Sequence, residues 1–207
     1  SFGDTFVGSV AKGGACNYQK VSLTPHGNGT HTECYGHISK EKVSINQCLN
    51  QFHFLALVVS ISPSKLANGD EVILLKDIQE KLGSSKCKTL IIRTLPNKKN
   101  KLNKHYSNTN PPYLEPSVGV FLAEKGIEHL LLDLPSVDRE SDEGVLSVHH
   151  GFWNYPNNPR KHCTITELIY VPNSIEDGNY LLNLQIISLE MDASPSKPIF
   201  SRISESI

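Results

Sequence analysis

The chain has 207 residues, with 20 Lys and Arg against 21 Asp and Glu, for a formal net charge of −1. That length suits one domain, residues 1–207, with a substantial core. Near-neutrality removes the global electrostatic case for a nucleic-acid or acidic-membrane partner, and no apolar run is long enough to span a bilayer. The five cysteines, at 16, 34, 48, 87 and 163, are widely spaced and include no C-x-x-C pair. This argues against a disulfide framework or a zinc ribbon and for a reducing, cytoplasmic setting. The chain opens SFGD, without Met, which is compatible with a fragment whose upstream segment is missing, and no secretory apolar region is visible at its start.

In chain order, the Gly-rich GDTFVGSVAKGGACNY reads as strands and loops, and VSLT (21–24) as a short strand. INQCLNQF (45–52) predicts one or two helical turns, and the nearly all-apolar FLALVVSIS (54–62) a buried strand. NGD (68–70) is a turn signal. ILLKDIQEKLG (73–83) has helical spacing and a glycine stop, and KTLIIRT (88–94) is another buried strand. The lysine-rich, Pro/Asn-rich stretch 96–113 predicts a long exposed basic loop, with an active-site flap as the sharper reading. It lacks the interleaved aromatics of a nucleic-acid groove. PSVGVFLAEKG (116–126) predicts a helix. IEHLLLD (127–133), TITELIYV (164–171) and YLLNLQIISLEM (180–191) predict strands, the last being the longest. The sum is an α/β chain on a large, partly closed sheet, with no internal repeat.

Chemistry concentrates in PHGNGTHTECYGHIS, residues 25–39. On an extended backbone His31, Glu33 and His37 share a face, because side chains two apart point the same way. Imidazole and carboxylate suit zinc, manganese or iron, and Gly27 and Gly29 permit a tight bend around a cation. The plainer alternative is a hydrogen-bonded surface loop that happens to hold histidines. A half-site needs partners, and two stand out downstream. VHHGFW (148–153) offers His149 or His150, of which regular structure directs at most one to a shared point. Glu167 lies in an apolar strand pattern, where a carboxylate is costly unless paired or metal-bound. Its alternative is an outward-facing position beside Thr164 and Thr166.

These segments resemble the cyclase family of metal-dependent hydrolases, which includes bacterial kynurenine formamidase and isatin hydrolase. GNGTHTECYGH (27–37) resembles the family's H-x-G-T-H-x-D signature with a further histidine four residues on. LLLDLPSVDRE (130–140), HHGFW followed by TELIYV, and DASPSKPI (192–199) resemble its later segments in order. The resemblance implies a swivelling β/β/α domain with a barrel-like mixed sheet and a few flanking helices. It implies a divalent metal, zinc first and manganese second, held by His31, Glu33, His149 and Glu167. His37 would be the catalytic acid/base, while Ser136 and Asp138 would hold the loop around the site. It further implies a small-molecule amide substrate, with N-formylkynurenine as the family prototype, and a homo-oligomer.

The chain departs from the family pattern in several places. The first ligand position falls on Gly27, and His26 is one residue off with the wrong parity for a simple strand, although the adjacent glycine would let it turn in as a further metal ligand, with His150 as the other alternative. Glu33 replaces Asp, NYPNNPRKH (154–162) reads as an insertion, and an N-terminal strand and a short aromatic substrate-binding segment are not seen. Three functions therefore compete: an amide hydrolase (arylformamidase-like, or acting on a cyclic amide), a non-catalytic small-molecule binder on the same fold, and a structural or nucleic-acid role for the basic loop, which the net charge opposes.

Overall fold

The computed structural model describes residues 6–27 and 29–203. Residues 3–5 of the predicted N-terminal strands and loops lie outside that range. The elements run β1 (His31–Cys34), α1 (Ile45–Cys48), β2 (His53–Ile61), β3 (Ser64–Lys65), β4 (Glu71–Ile73), α2 (Leu75–Leu82), β5 (Thr89–Thr94), β6 (Tyr113–Leu114), α3 (Ser117–Glu124), β7 (His129–Leu132), α4 (Ser147–Trp153), β8 (Thr164–Glu167), β9 (Gly178–Ile186) and β10 (Ala193–Arg202). This is a mixed α/β architecture around a closed seven-stranded barrel, in the order β1-β10-β9-β2-β5-β7-β8.

Strands β2, β5, β7 and β8 are mutually parallel, and the others close the barrel antiparallel. The apolar runs explain the parallel half. Strands buried on both faces carry no polar alternation, and every residue of β5 and β7 is buried. Helices cover part of the outer face, around the parallel strands, since a barrel of this size is filled by its own side chains. The inward face of β8 and β1 is polar but satisfied. Thr32 Oγ1 lies 2.9 Å from both Thr166 Oγ1 and Ser196 Oγ, and His129 Nδ1 lies 2.8 Å from Thr164 Oγ1. By the two-residue alternation, His31, Glu33 and Glu167 then face outward, towards α4.

Two glycines let α4 sit close enough to matter. A Cβ on Gly119 of α3 would stand 2.3 Å from the Val148 carbonyl oxygen, and one on Gly151 of α4 would stand 2.9 Å from the Val120 nitrogen. Trp153 anchors the far end of α4, donating from Nε1 to the Cys163 carbonyl at 2.9 Å. All five cysteines are free thiols. Among the described residues no helix is long and apolar enough to cross a membrane.

Several expectations need correcting. Residues 21–24 are exposed and form no strand, and among the described residues of the N-terminal stretch the only regular turn is a 3-10 helix at Val10–Lys12. The strand foreseen over 164–171 stops at Glu167, because Leu168 takes φ 53° and its amide donates to the Leu134 carbonyl instead. The strand foreseen over 180–191 ends at Ile186, and β10, ten residues long, is the longest. The loop 96–113 is largely exposed, but it is pinned. Asn97 is buried and donates to the Val171 carbonyl. Lys101 Nζ donates to the Thr94 carbonyl, Thr94 Oγ1 and Asp133 Oδ2 at 2.6, 2.8 and 2.8 Å.

Candidate metal centre

Register builds the centre. In the β1–β8 pairing His31 sits opposite Glu167, so the two share a face, and Glu33 is the next residue along that face of β1. His149 descends from α4 and brings Nε2 to 3.1 Å from Glu33 Oε1 and 3.9 Å from Glu167 Oε1. His31 Nε2 stands 3.3 Å from Glu167 Oε2. All four side chains are essentially buried. Glu167 does point outward from the barrel, but it is buried under α4 instead of solvated: its Oε1 accepts the Val137 amide at 2.9 Å, and Oε2 faces His31.

Outer contacts fix the tautomers. His31 Nδ1 donates to the Gly29 carbonyl at 2.9 Å, and His149 Nδ1 lies 2.6 Å from Asp138 Oδ2, so each ring turns Nε2 inward. Asp138 is itself held by the amides of Val148 and His149. This is the usual second layer around a ligating imidazole. Ser136 Oγ accepts the Asp138 amide at 3.1 Å and so steadies the loop.

The second group of side chains is looser. Strand β1 ends at Cys34, and His37 arrives through a 3-10 turn, Tyr35–His37, rather than along an extended strand as predicted. His37 Nδ1 lies 3.9 Å from Glu33 Oε2 and 3.6 Å from Asp192 Oδ2. His26, from the 3-10 turn Pro25–Gly27, does reach the centre. Its Nδ1 is 3.1 Å from Glu33 Oε2, its Nε2 is 2.6 Å from Asp192 Oδ2, and its ring lies against that of His37 at 4.2 Å between centroids. His150 points away, with Nδ1 3.2 Å from the Tyr155 carbonyl. Asp192 had been read only as part of a closing segment. Nothing local marks it, because its partners lie more than 150 residues earlier in the chain.

Carboxylates dominate the electrostatics of the centre and hold protons on its imidazoles. Burial pushes the His149 imidazole down, but Asp138 and Glu33 outweigh it and raise it to about 10. Burial likewise lowers His26, and Asp192 and Glu33 raise it to about 10. Burial alone would lift the Glu33 carboxyl, yet His149 and His26 hold it well below the usual carboxylate range. Glu167 is pushed up, by burial first and by the charge of Glu33 second. The hydrogen bond from His26 first, and the nearby His37 imidazole second, hold Asp192 far down.

The donor set fits a divalent metal. Buried polar atoms normally find partners, yet His31 Nε2 and Glu33 Oε2 make no aligned hydrogen bond. Ligand atoms of His31, Glu33 and Glu167 lie within 4.8 Å of one another, as do those of His26, Glu33 and His37. Mixed imidazole and carboxylate donors suit zinc and its first-row neighbours. Beside the centre opens a cleft of about 390 Å³, whose lining includes His26, Asp138, Lys104, Tyr106, Arg139 and Leu146.

The model of the family described as "Putative cyclase" matches residues 3–139. The chain belongs to the cyclase family. Among curated relatives of this chain are the kynurenine formamidases of Bacillus anthracis and Bacillus thuringiensis (strain Al Hakam). They are 26% and 25% identical over 201 residues, spanning 94% of this chain and 85% of each relative. Among solved structures, one described as a potential metal-dependent hydrolase with cyclase activity superposes with a TM-score of 0.67 at 15% identity, covering 87% of this chain and 81% of its own. Isatin hydrolase A from Labrenzia aggregata gives 0.65 at 12% identity, covering 89% and 76%. At those identities the structural likeness shows that the chain shares their fold.

Proposed function

We propose that this member of the cyclase family is a metal-dependent hydrolase of small amides, with arylformamides such as N-formylkynurenine as the first substrates to test. The observation that carries the reading is the buried convergence of His31, Glu33, His149 and Glu167 around two polar atoms without aligned partners, with His37 at its rim. Those four residues would hold the cation, zinc or manganese. Bound there, it supplies Lewis-acid polarisation and water activation. The names of the kynurenine formamidase relatives support the choice of bond.

His37 is the proton carrier in this reading. Among the described residues its nearest carboxylate is Asp192, at 3.6 Å from Nδ1, and it makes no hydrogen bond like those that tie His26, His31 and His149, which leaves it able to accept and return a proton. It takes a proton from the attacking water as the C–O bond forms at the formyl carbon. It returns that proton to the amine as the C–N bond breaks, so that water and formamide give formate and free amine. Glu33 and Asp192 orient it, and the adjoining cleft receives the aryl group.

Chelator-stripped protein should regain hydrolysis of aryl formamides on adding zinc or manganese, and cyclic amides form the second panel. Folded protein that turns over no aryl formamide under either metal would sink the formamidase assignment. A homo-oligomer belongs to the same reading. Leu55 and its cross-strand neighbour Leu181 are 66% and 40% exposed on an outer sheet face without a helix. Light scattering coupled to size exclusion tests it.

A further inference from the structure

His26 stands one residue before the position where the family pattern expects its first ligand, and parity on a strand would turn it away. It reaches the centre for two reasons visible in the fold. The 3-10 turn Pro25–Gly27 breaks the alternation, and a carboxylate from the far end of the chain grips the outer side of the ring. That carboxylate is Asp192. Its position is set by the barrel: its carbonyl accepts the Cys34 amide at 3.0 Å, and the next residue, Ala193, pairs with Glu33 in the β1–β10 ladder.

Three imidazoles thus follow one plan. His31 is tied on its outer nitrogen by the Gly29 carbonyl at 2.9 Å, His149 by Asp138 at 2.6 Å, and His26 by Asp192 at 2.6 Å. In each case the other nitrogen faces Glu33 or Glu167. For His26 the tied atom is Nε2 and the presented atom is Nδ1, the reverse of the other two. We propose that Asp192 is a positioning residue, fixing His26 so that Nδ1 serves as a further metal ligand and steadying His37 beside it. This rests on the metal-site reading above. It explains how a chain with glycine at the expected ligand position retains an imidazole there: the donor comes from the neighbouring residue and the orientation from β10.

The test is zinc affinity, measured by chelator competition on stripped full-length protein, with a thermal melt of each metal-free variant as the folding control. Outer-layer carboxylates of this kind are worth about 10–100-fold in metal affinity, so D192N should weaken zinc binding by roughly that factor. D192E should recover most of it. H26Q should weaken binding to a similar degree, and D192N should add little on top of H26Q, because it acts through that ring. Three outcomes would overturn the proposal: D192N binding zinc as tightly as wild type, D192N and H26Q adding in full, or D192E failing to rescue while D192N and D192E both melt like wild type. Wild-type protein that binds neither zinc nor manganese overturns the metal reading and this proposal with it, whereas normal wild-type binding with an indifferent D192N overturns this proposal alone.

Discussion

Loading the centre with metal should expel protons, and the number can be worked from the structure. Without a cation His149 and His26 are each raised to about 10 by their flanking carboxylates. At pH 8, two units below that, about 99% of each ring carries both protons. An imidazole must lose one of them to ligate. Binding through both rings therefore releases about two protons at pH 8. His31 and Glu167 are also shifted upward, so they can only add to that count. The sign follows: the ligating forms are the minor ones below the raised values, so apparent affinity rises with pH, by roughly 100-fold per unit for two protons and 10-fold for one. Calorimetric titration of zinc into stripped protein, in buffers of different ionisation enthalpy at pH 8, gives the count from the slope. H26Q should lower it by about one proton. A wild-type count below one, or an unchanged count in H26Q, would refute the ligand arrangement described here.

Three further predictions test the frame that holds the centre. In G119A the added Cβ meets the Val148 backbone carbonyl at 2.3 Å. Helix propensity gains roughly 1 kcal/mol and overpacking costs about 1–3 kcal/mol; because the obstacle is backbone, a net loss is expected in urea melts, with weaker zinc binding as His149 shifts. A G119A protein as stable as wild type contradicts that packing. K101M strips the cation from Asp133, a fully buried carboxylate left with only Thr94 as donor. A loss of about 2–4 kcal/mol is expected in the same assay, and none at all would mean that the lysine is ornamental to the loop. Burial lowers His129 to about 4, whereas in the unfolded chain it titrates near its ordinary value. The unfolded state therefore binds the extra proton first as pH falls below about 6.5, and stability is lost between there and about 4, by about 2 kcal/mol at pH 5. Melts at pH 7 and pH 5 should show that loss, and H129Q should abolish this part of it.

What could be read from the sequence was whatever depends on neighbours in the chain. The strands β5 and β7 are apolar because both their faces are covered, as is the later half of β2, and short apolar runs announce that directly. His31 and Glu33 follow from two-residue alternation, and Glu167 from the cost of a carboxylate among apolar neighbours. His37 was grouped with them on the same parity, yet it arrives by a 3-10 turn, so its place rests on a different cause. The misses share another physical origin. β10 contains Pro195 and Pro198, which argue against a strand, but β1 pairs only residues 193–195 and β9 only 196–202. Each half therefore has one bonded edge, where proline is tolerated. The paired segments β3, β4 and β6 are two or three residues long, too short for any periodicity to show.

His26 and Asp192 mark the limit most clearly. Alternation along a strand turns His26 away from the centre while the adjacent glycine would let it turn in, so the sequence leaves its place open, and nothing within ten residues of Asp192 suggests that it has a histidine to hold. Only barrel closure, which lays the start of β10 against β1, brings the two within 2.6 Å. A ligand position defined along the chain is thereby replaced by one defined across it. The distinction has a consequence for variation at this centre. A substitution in the turn Pro25–Gly27 and a substitution at Asp192 should weaken the same imidazole, so the two positions are expected to behave as one site although 165 residues separate Gly27 from Asp192.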